Sequence, residues 1–242
     1  MFANRPIIVA ALALSCAAFL RAEDAPKKPW KNATELSVVS ANGNTKSEST
    51  SGKNTFTYDW TKTTLELIGG GLGARSDGHT IAERYFASEK VSYKVTDRNY
   101  VFEKFAWDKD RFSGIRNRYD AGLGVGREIM KDAFNLLIGE VGGGFIQEER
   151  IGEDDEEFAV GRSYAKYVRT LSATSNFSQD AEYVHNFEDP DDFRVKTETA
   201  VTAAINTAMS LKLSYVWKHV GVPPAGFGRN DTITTVALVA TY

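Results

Sequence analysis

Apolar and polar side chains alternate in run after run, connections switch between short and long, and prolines keep to the joints. Together these predict an all-β chain: a closed antiparallel transmembrane β-barrel of about twelve strands. The clearest run is residues 117–129, Asn-Arg-Tyr-Asp-Ala-Gly-Leu-Gly-Val-Gly-Arg-Glu-Ile. Tyr119, Ala121, Leu123 and Val125 share one parity, and Arg118, Asp120, Gly122, Gly124, Gly126 and Glu128 share the other. Successive side chains of a strand point to opposite faces, so one face is apolar and the other polar and glycine-rich. In a soluble sandwich the apolar face would pack on a second sheet. In a membrane barrel it faces lipid, and the polar face lines a narrow lumen.

The chain opens with a different pattern. Residues 1–22 read as a secretory signal peptide: Arg5 supplies the positive region, residues 7–20 form an apolar stretch too short to span, and Leu20-Arg21-Ala22 gives a cleavage site. Cys16 does not make a lipoprotein site, because Ala13 stands where a larger aliphatic belongs and apolar residues continue past the cysteine. Removing the leader removes the one cysteine, and with it disulfide and thiol chemistry. Arg5 and Arg21 leave too, so 29 basic residues become 27 against 32 acidic ones, a net charge of about −5. That balance does not point to a nucleic-acid partner. Residues 23–32, with Pro26 and Pro29 among Lys27, Lys28 and Lys31, read as an exposed periplasmic lead-in, and residues 33–242 as the barrel.

The strand-like runs follow in order. Residues 33–42 come first, then 49–60 with Phe56, Tyr58 and Trp60 on one parity. Residues 63–75 hold Leu65, Leu67 and the glycines Gly69, Gly70, Gly71 and Gly73. Residues 81–95 place Tyr85, Ala87, Val91 and Tyr93 on one face. In 99–110 two phases compete: Val101, Phe105 and Trp107 against Tyr100, Phe102 and Ala106. After 117–129 come 134–147, with Leu137, Val141 and Phe145 together, and the weakly patterned 158–168. Runs 177–187, 193–205, 209–219 and 231–242 alternate cleanly, the last with Val236, Leu238, Ala240 and Tyr242 on one parity. Twelve is an even number, as a barrel with both ends on one side requires.

The connections at 61–62, 96–98, 130–132, 172–175 and 206–208 are short. Those at 43–48, 76–80, 109–116, 148–157, 188–192 and 220–230 are mostly longer. That is the rhythm of periplasmic turns and outer loops. Proline cannot donate to a ladder. Pro190, Pro223 and Pro224 fall in proposed loops, and none interrupts a proposed strand.

Four stretches carry a family resemblance: Ser40-Ala41-Asn42-Gly43-Asn44-Thr45, Ala82-Glu83-Arg84-Tyr85, Asp108-Lys109-Asp110-Arg111-Phe112-Ser113-Gly114, and Tyr119-Asp120-Ala121-Gly122-Leu123-Gly124-Val125-Gly126. Together they resemble the bacterial family of salt-induced outer membrane proteins, over nearly the whole of residues 33–242. Asp-Arg-Phe-Ser-Gly at 110–114 is the most specific part. The resemblance implies an outer-membrane β-barrel and a link to salt or envelope stress. It brings no catalytic, cofactor or metal residues, so none is assigned.

The remaining constellations are weak. His79, His185 and His219 lie near proposed loops or outer strand ends, and His219 has Ser210 and Ser214 nearby without a nucleophile motif. Glu148-Glu149 and Glu153 to Glu157, with Asp189, Asp191 and Asp192, read as two acidic, solvated outer loops whose spacing matches no calcium loop. The glycine runs 69–71 and 142–144 precede no helix, so they are strand positions rather than phosphate cradles. Trp60, Tyr119, Phe145, Tyr215, Trp217 and Tyr242 suit interfacial girdles. Glu89 and Glu103 break the apolar parity of their strands, which calls for another phase or a bulge, since a carboxylate facing lipid is costly.

A lumen crowded by Arg84, Lys90, Asp108, Arg118, Asp120, Glu182, Lys196, Glu198, Lys212 and Lys218 is therefore expected. About twelve strands then leave a narrow or plugged bore. The expected role is a structural or envelope-stress barrel and not an enzyme, with two alternatives: a small-solute channel, or an outer-membrane hydrolase working at the outer rim. Expected partners are outer-membrane lipid, lipopolysaccharide and the barrel-insertion machinery. Two registers are also expected. The hairpin centred on Asp132 should set Leu123 opposite Val141, and Lys196 should face Lys218 with Glu198 bridging them. Tyr242 is expected to end the last strand and form part of the assembly signal.

Overall fold

The computed structural model describes residues 28–41 and 47–242. The expected leader, residues 1–22, lies outside the described residues, as does the lead-in up to residue 27. Twelve strands are described: β1 (Trp30–Ala41), β2 (Ser47–Asp59), β3 (Thr63–Ser76), β4 (His79–Lys94), β5 (Asn99–Asp110), β6 (Ile115–Lys131), β7 (Asn135–Arg150), β8 (Glu156–Ser172), β9 (Ser175–Asn186), β10 (Phe193–Ala204), β11 (Met209–Val220) and β12 (Asn230–Thr241). Each pairs antiparallel with its sequence neighbours, and β1 pairs with β12, which closes the barrel. Trp30 to Asn32, expected in the lead-in, belong to β1. No helix among the described residues is long and apolar enough to cross a membrane.

The strands exist because their side chains alternate, and the alternation sets their faces. Leu123 is 68 % exposed on the outside of the wall, with Val141, Phe145, Leu213 and Val236. In β5 the competing phases resolve: Val101 and Phe105 face out, while Phe102 turns inward and is 7 % exposed. On β4, Tyr85 and Tyr93 mark the upper and lower edges of the apolar belt, and both are exposed. An apolar belt between aromatic edges is the outer surface of a membrane-spanning barrel.

Two connections differ from expectation. Residues 76–80 form no loop: Asp77 (φ 49°) and Gly78 (φ 83°) make a two-residue turn between β3 and β4. Positive φ at both positions matches the right-handed twist of a hairpin. The β6–β7 turn is held by Asp132, whose carboxylate accepts the backbone N–H groups of Phe134 and Asn135, each at 2.8 Å. Those donors hold its pKa below the ordinary carboxylate value. The hairpin is shifted from its expected register. Leu123 faces Gly143, Ala121 faces Phe145, and Val125 faces Val141, because the turn closes between Asp132 and Asn135 rather than about Asp132, and the bulge between Glu128 and Met130 takes back one residue of that displacement. The faces are unchanged, since the shift is even.

The joint between first and last strands is short. Only Ala33 to Leu36 pair with Leu238 to Thr241. Tyr242, one residue past β12, extends the joint through two backbone hydrogen bonds with Asn32. Deleting Tyr242 is expected to lower the yield of folded, membrane-inserted barrel, read as heat-modifiable gel mobility of outer-membrane fractions. An unchanged yield refutes this.

Candidate functional site: a bridged lumen

Even-numbered positions of β3 to β11 point inward, and the ten expected luminal residues all sit at such positions. Their partners were only partly legible. Arg84 pairs with Asp108 on the neighbouring strand and lies 3.7 Å from Asp110. Lys90 pairs with Glu140, which also accepts the Tyr100 hydroxyl. Arg162 pairs with Asp120 and lies 3.2 Å from Glu182.

Several pairs join strands that are not neighbours. Lys104 on β5 reaches Glu182 on β9 at 3.0 Å. Lys218 on β11 approaches Asp110 on β5 at 3.9 Å. Arg194 on β10 grips Glu148 on β7. Lys212 on β11 passes over β12 to Glu35 on β1 at 3.0 Å, while holding Glu198 at 2.8 Å. Lys53 on β2 completes that group, 3.6 Å from Glu35. Of these, the contacts of Lys104, Lys218 and Arg194 span the bore itself.

The expected row on β10 and β11 has the register foreseen: Lys196 faces Lys218, and Thr202 faces Lys212. Glu198 does not bridge the two lysines. It pairs with Lys212, while Lys218 turns to Asp110.

Glu148 is the largest departure. It belongs to β7, not to an acidic loop, and is 1 % exposed. Its carboxylate accepts from Arg118 at 3.3 Å, from Arg150 at 3.2 Å and from Arg194 at 3.1 Å. Arg194 also stacks over Phe158, 5.2 Å from the ring centre, and holds Asp192 at 3.1 Å. Below this cluster Ile146, Phe158, Val160 and Val184 form a buried apolar core inside the wall. Glu153 and Glu156 also serve internal contacts. Glu156 lies 2.7 Å from Arg150, and Glu153 accepts the Ala225 N–H. Among the described residues no group of His, Cys, Asp and Glu could hold a metal ion.

The glycines of β6 make room for rings. A Cβ at Gly124 would fall into Phe102, and one at Gly126 into Tyr100. Both rings pack against these glycines, beside Lys90, whose ammonium sits 4.5 Å from the Phe102 centroid. At the outer end, the loop 221–229 folds over its neighbours: Pro224 and Phe227 pack on Gly114, and Ile151 donates to the Gly114 carbonyl.

The histidines fall outside the lumen. His219 stacks on Phe193 and Trp217, and His185 on Tyr183, in the outward aromatic belt. Ser210 and Ser214 take the other parity of β11, so they face the lumen while His219 faces out. Glu89 and Glu103 need neither bulge nor another phase. β4 and β5 pair without interruption from Arg84–Asp110 to Lys94–Tyr100, and both glutamates face outward, exposed.

Comparisons with known proteins agree with this geometry. A channel of the outer membrane from Pseudomonas putida F1 superposes with a TM-score of 0.52 at 10 % identity, covering 88 % of this chain and 94 % of that one. The NanC porin gives 0.50 at 11 % identity, covering 87 % and 97 %. These share the fold. The Escherichia coli (strain K12) protein named "Uncharacterized protein YdiY" is 27 % identical over 213 residues, covering 88 % of this chain and 83 % of that protein. Over residues 34–242 the sequence matches the family described as "Protein of unknown function, DUF481", and the chain belongs to that family.

Proposed function

We propose that this is an outer-membrane barrel of the bacterial envelope whose bore is plugged by its own side chains, serving a structural role under salt or envelope stress. The observation that carries this reading is the set of ion pairs joining non-adjacent strands across the lumen, Lys104–Glu182, Lys218–Asp110 and Arg194–Glu148. Long side chains tied across the bore obstruct it, and a twelve-stranded barrel leaves little room around them. Packing of Pro224 and Phe227 over Gly114 supports an obstructed outer mouth. The family resemblance in Asp110 to Gly114 supports the salt-stress link, which raised sodium chloride and immunoblotting of outer-membrane fractions would test.

Planar-bilayer recording tests the plug. The purified protein is expected to give no large, stable conductance steps. Steps of general-porin size would overturn the reading and favour the second one, a small-solute channel, which the likeness to a porin and a channel supports.

A further inference from the structure

At mid-height of the outer wall, two carboxylates stand where hydrocarbon is expected. The outward residues of β4 run Tyr85, Ala87, Glu89, Val91, Tyr93, so Glu89 lies midway between the two aromatic edges. Those of β5 run Val101, Glu103, Phe105, Trp107. The register sets Glu89 opposite Phe105 and Glu103 opposite Val91, which makes the carboxylates diagonal neighbours on one strand pair. Among the described residues neither has an ion pair or a side-chain hydrogen bond. The flanking cations are turned inward, Lys90 onto Glu140 and Lys104 onto Glu182.

The wall beside them is hollowed. A depression of about 590 Å³ has the backbone of Gly122, Gly143 and Gly144 as its floor. Phe105, Ala121, Leu123 and Phe145 line its apolar side, Glu89 and Glu103 its acidic side, and Lys104, whose ammonium is tied to Glu182, completes the lining. Most of these side chains are outward-facing and exposed, so the depression opens sideways to the bilayer. Its volume is that of a small-molecule site.

We propose that this depression is a lateral binding site for a bilayer-dissolved amphiphilic amine. The hydrocarbon body fills the hollow, and the protonated nitrogen sits between Glu89 and Glu103. An ammonium has three donors and one positive charge, which two carboxylates can accept. In a low-dielectric belt such a pair is worth far more than at a wet surface. A lipid tail would fill the hollow and leave both carboxylates unpaired, at the cost that intramembrane charge carries. This inference is independent of whether the lumen conducts.

The test uses the full barrel in phosphatidylcholine nanodiscs and two spin-labelled probes of one chain length, octadecylamine and octadecanol. The amine is expected to show a saturable, motionally restricted component, about one per barrel. In the double variant Glu89→Gln/Glu103→Gln its affinity should fall about tenfold or more. Ala121→Leu, which fills the hollow and leaves the carboxylates, should also lower it. Heat-modifiable gel mobility confirms that each variant is folded. The proposal is overturned if the alcohol is held as tightly as the amine, if the double variant binds the amine unchanged, or if the restricted component never saturates.

Discussion

Glu148→Gln is expected to destabilise the barrel by about 3 kcal/mol, the lower end for breaking a buried charge pair. The amide keeps the shape of the carboxyl but loses its charge, and the guanidiniums of Arg118, Arg150 and Arg194 then share one site uncompensated. The loss stays at the lower end because Arg150 retains Glu156 and Arg194 retains Asp192. Urea unfolding in detergent micelles, followed by tryptophan fluorescence, measures it. Glu148→Asp separates charge from reach: it keeps the negative charge among the three guanidiniums but shortens the side chain, so it should lose less than Glu148→Gln. A single variant within about 0.5 kcal/mol of the parent, the scatter of ordinary surface changes, would show that the arginines do not depend on Glu148.

Gly144→Val and Gly73→Val should differ sharply although both replace a strand glycine. At Gly144 a Cβ would fall on the Ala121 carbonyl and the Gly122 Cα of β6. Backbone cannot step aside without opening the β6–β7 ladder, so a cost of about 1–3 kcal/mol or more follows, as in other overpacked sites. At Gly73 nothing lies within 4 Å. There valine only narrows the unfolded ensemble and favours the strand, so stability should hold or rise slightly. The folded fraction before boiling, together with urea midpoints, reads both. Equal losses at the two positions would mean that glycine matters for something other than this close approach.

The fold was legible because lipid on one side and a polar bore on the other impose a two-residue period on every strand. Leu123, Val141 and Phe145 were assigned to the outside by parity alone, and they are there. What parity could not give is anything depending on the closed ring. Lys104 meets Glu182 only because β5 and β9 curve toward each other across the bore, and sequence spacing carries no trace of that. Glu148 was misread for a related reason. It begins an acidic stretch that resembles a solvated loop, and only the arginines of β6 and β10 make it an interior group. A signal was present, since Glu148 shares the luminal parity of Glu140, but the charge run masked it. The hairpin register missed by two residues, because neither the true centre of the turn, between Asp132 and Asn135, nor the bulge after Glu128 is visible to periodicity.

The short ladder between β1 and β12 makes one joint of the ring chemically unlike the others. Elsewhere neighbouring strands are fastened along most of their length by backbone bonds, which dissolved ions scarcely touch. Here four rungs and the Tyr242–Asn32 bonds are supplemented by a luminal stitch: Glu35 of β1 reaches over β12 to Lys212 and sideways to Lys53. Mobile ions weaken attractions between wet charges as their concentration rises. That joint leans on luminal charge where the others lean on long ladders, so concentrated brine is expected to loosen it before them.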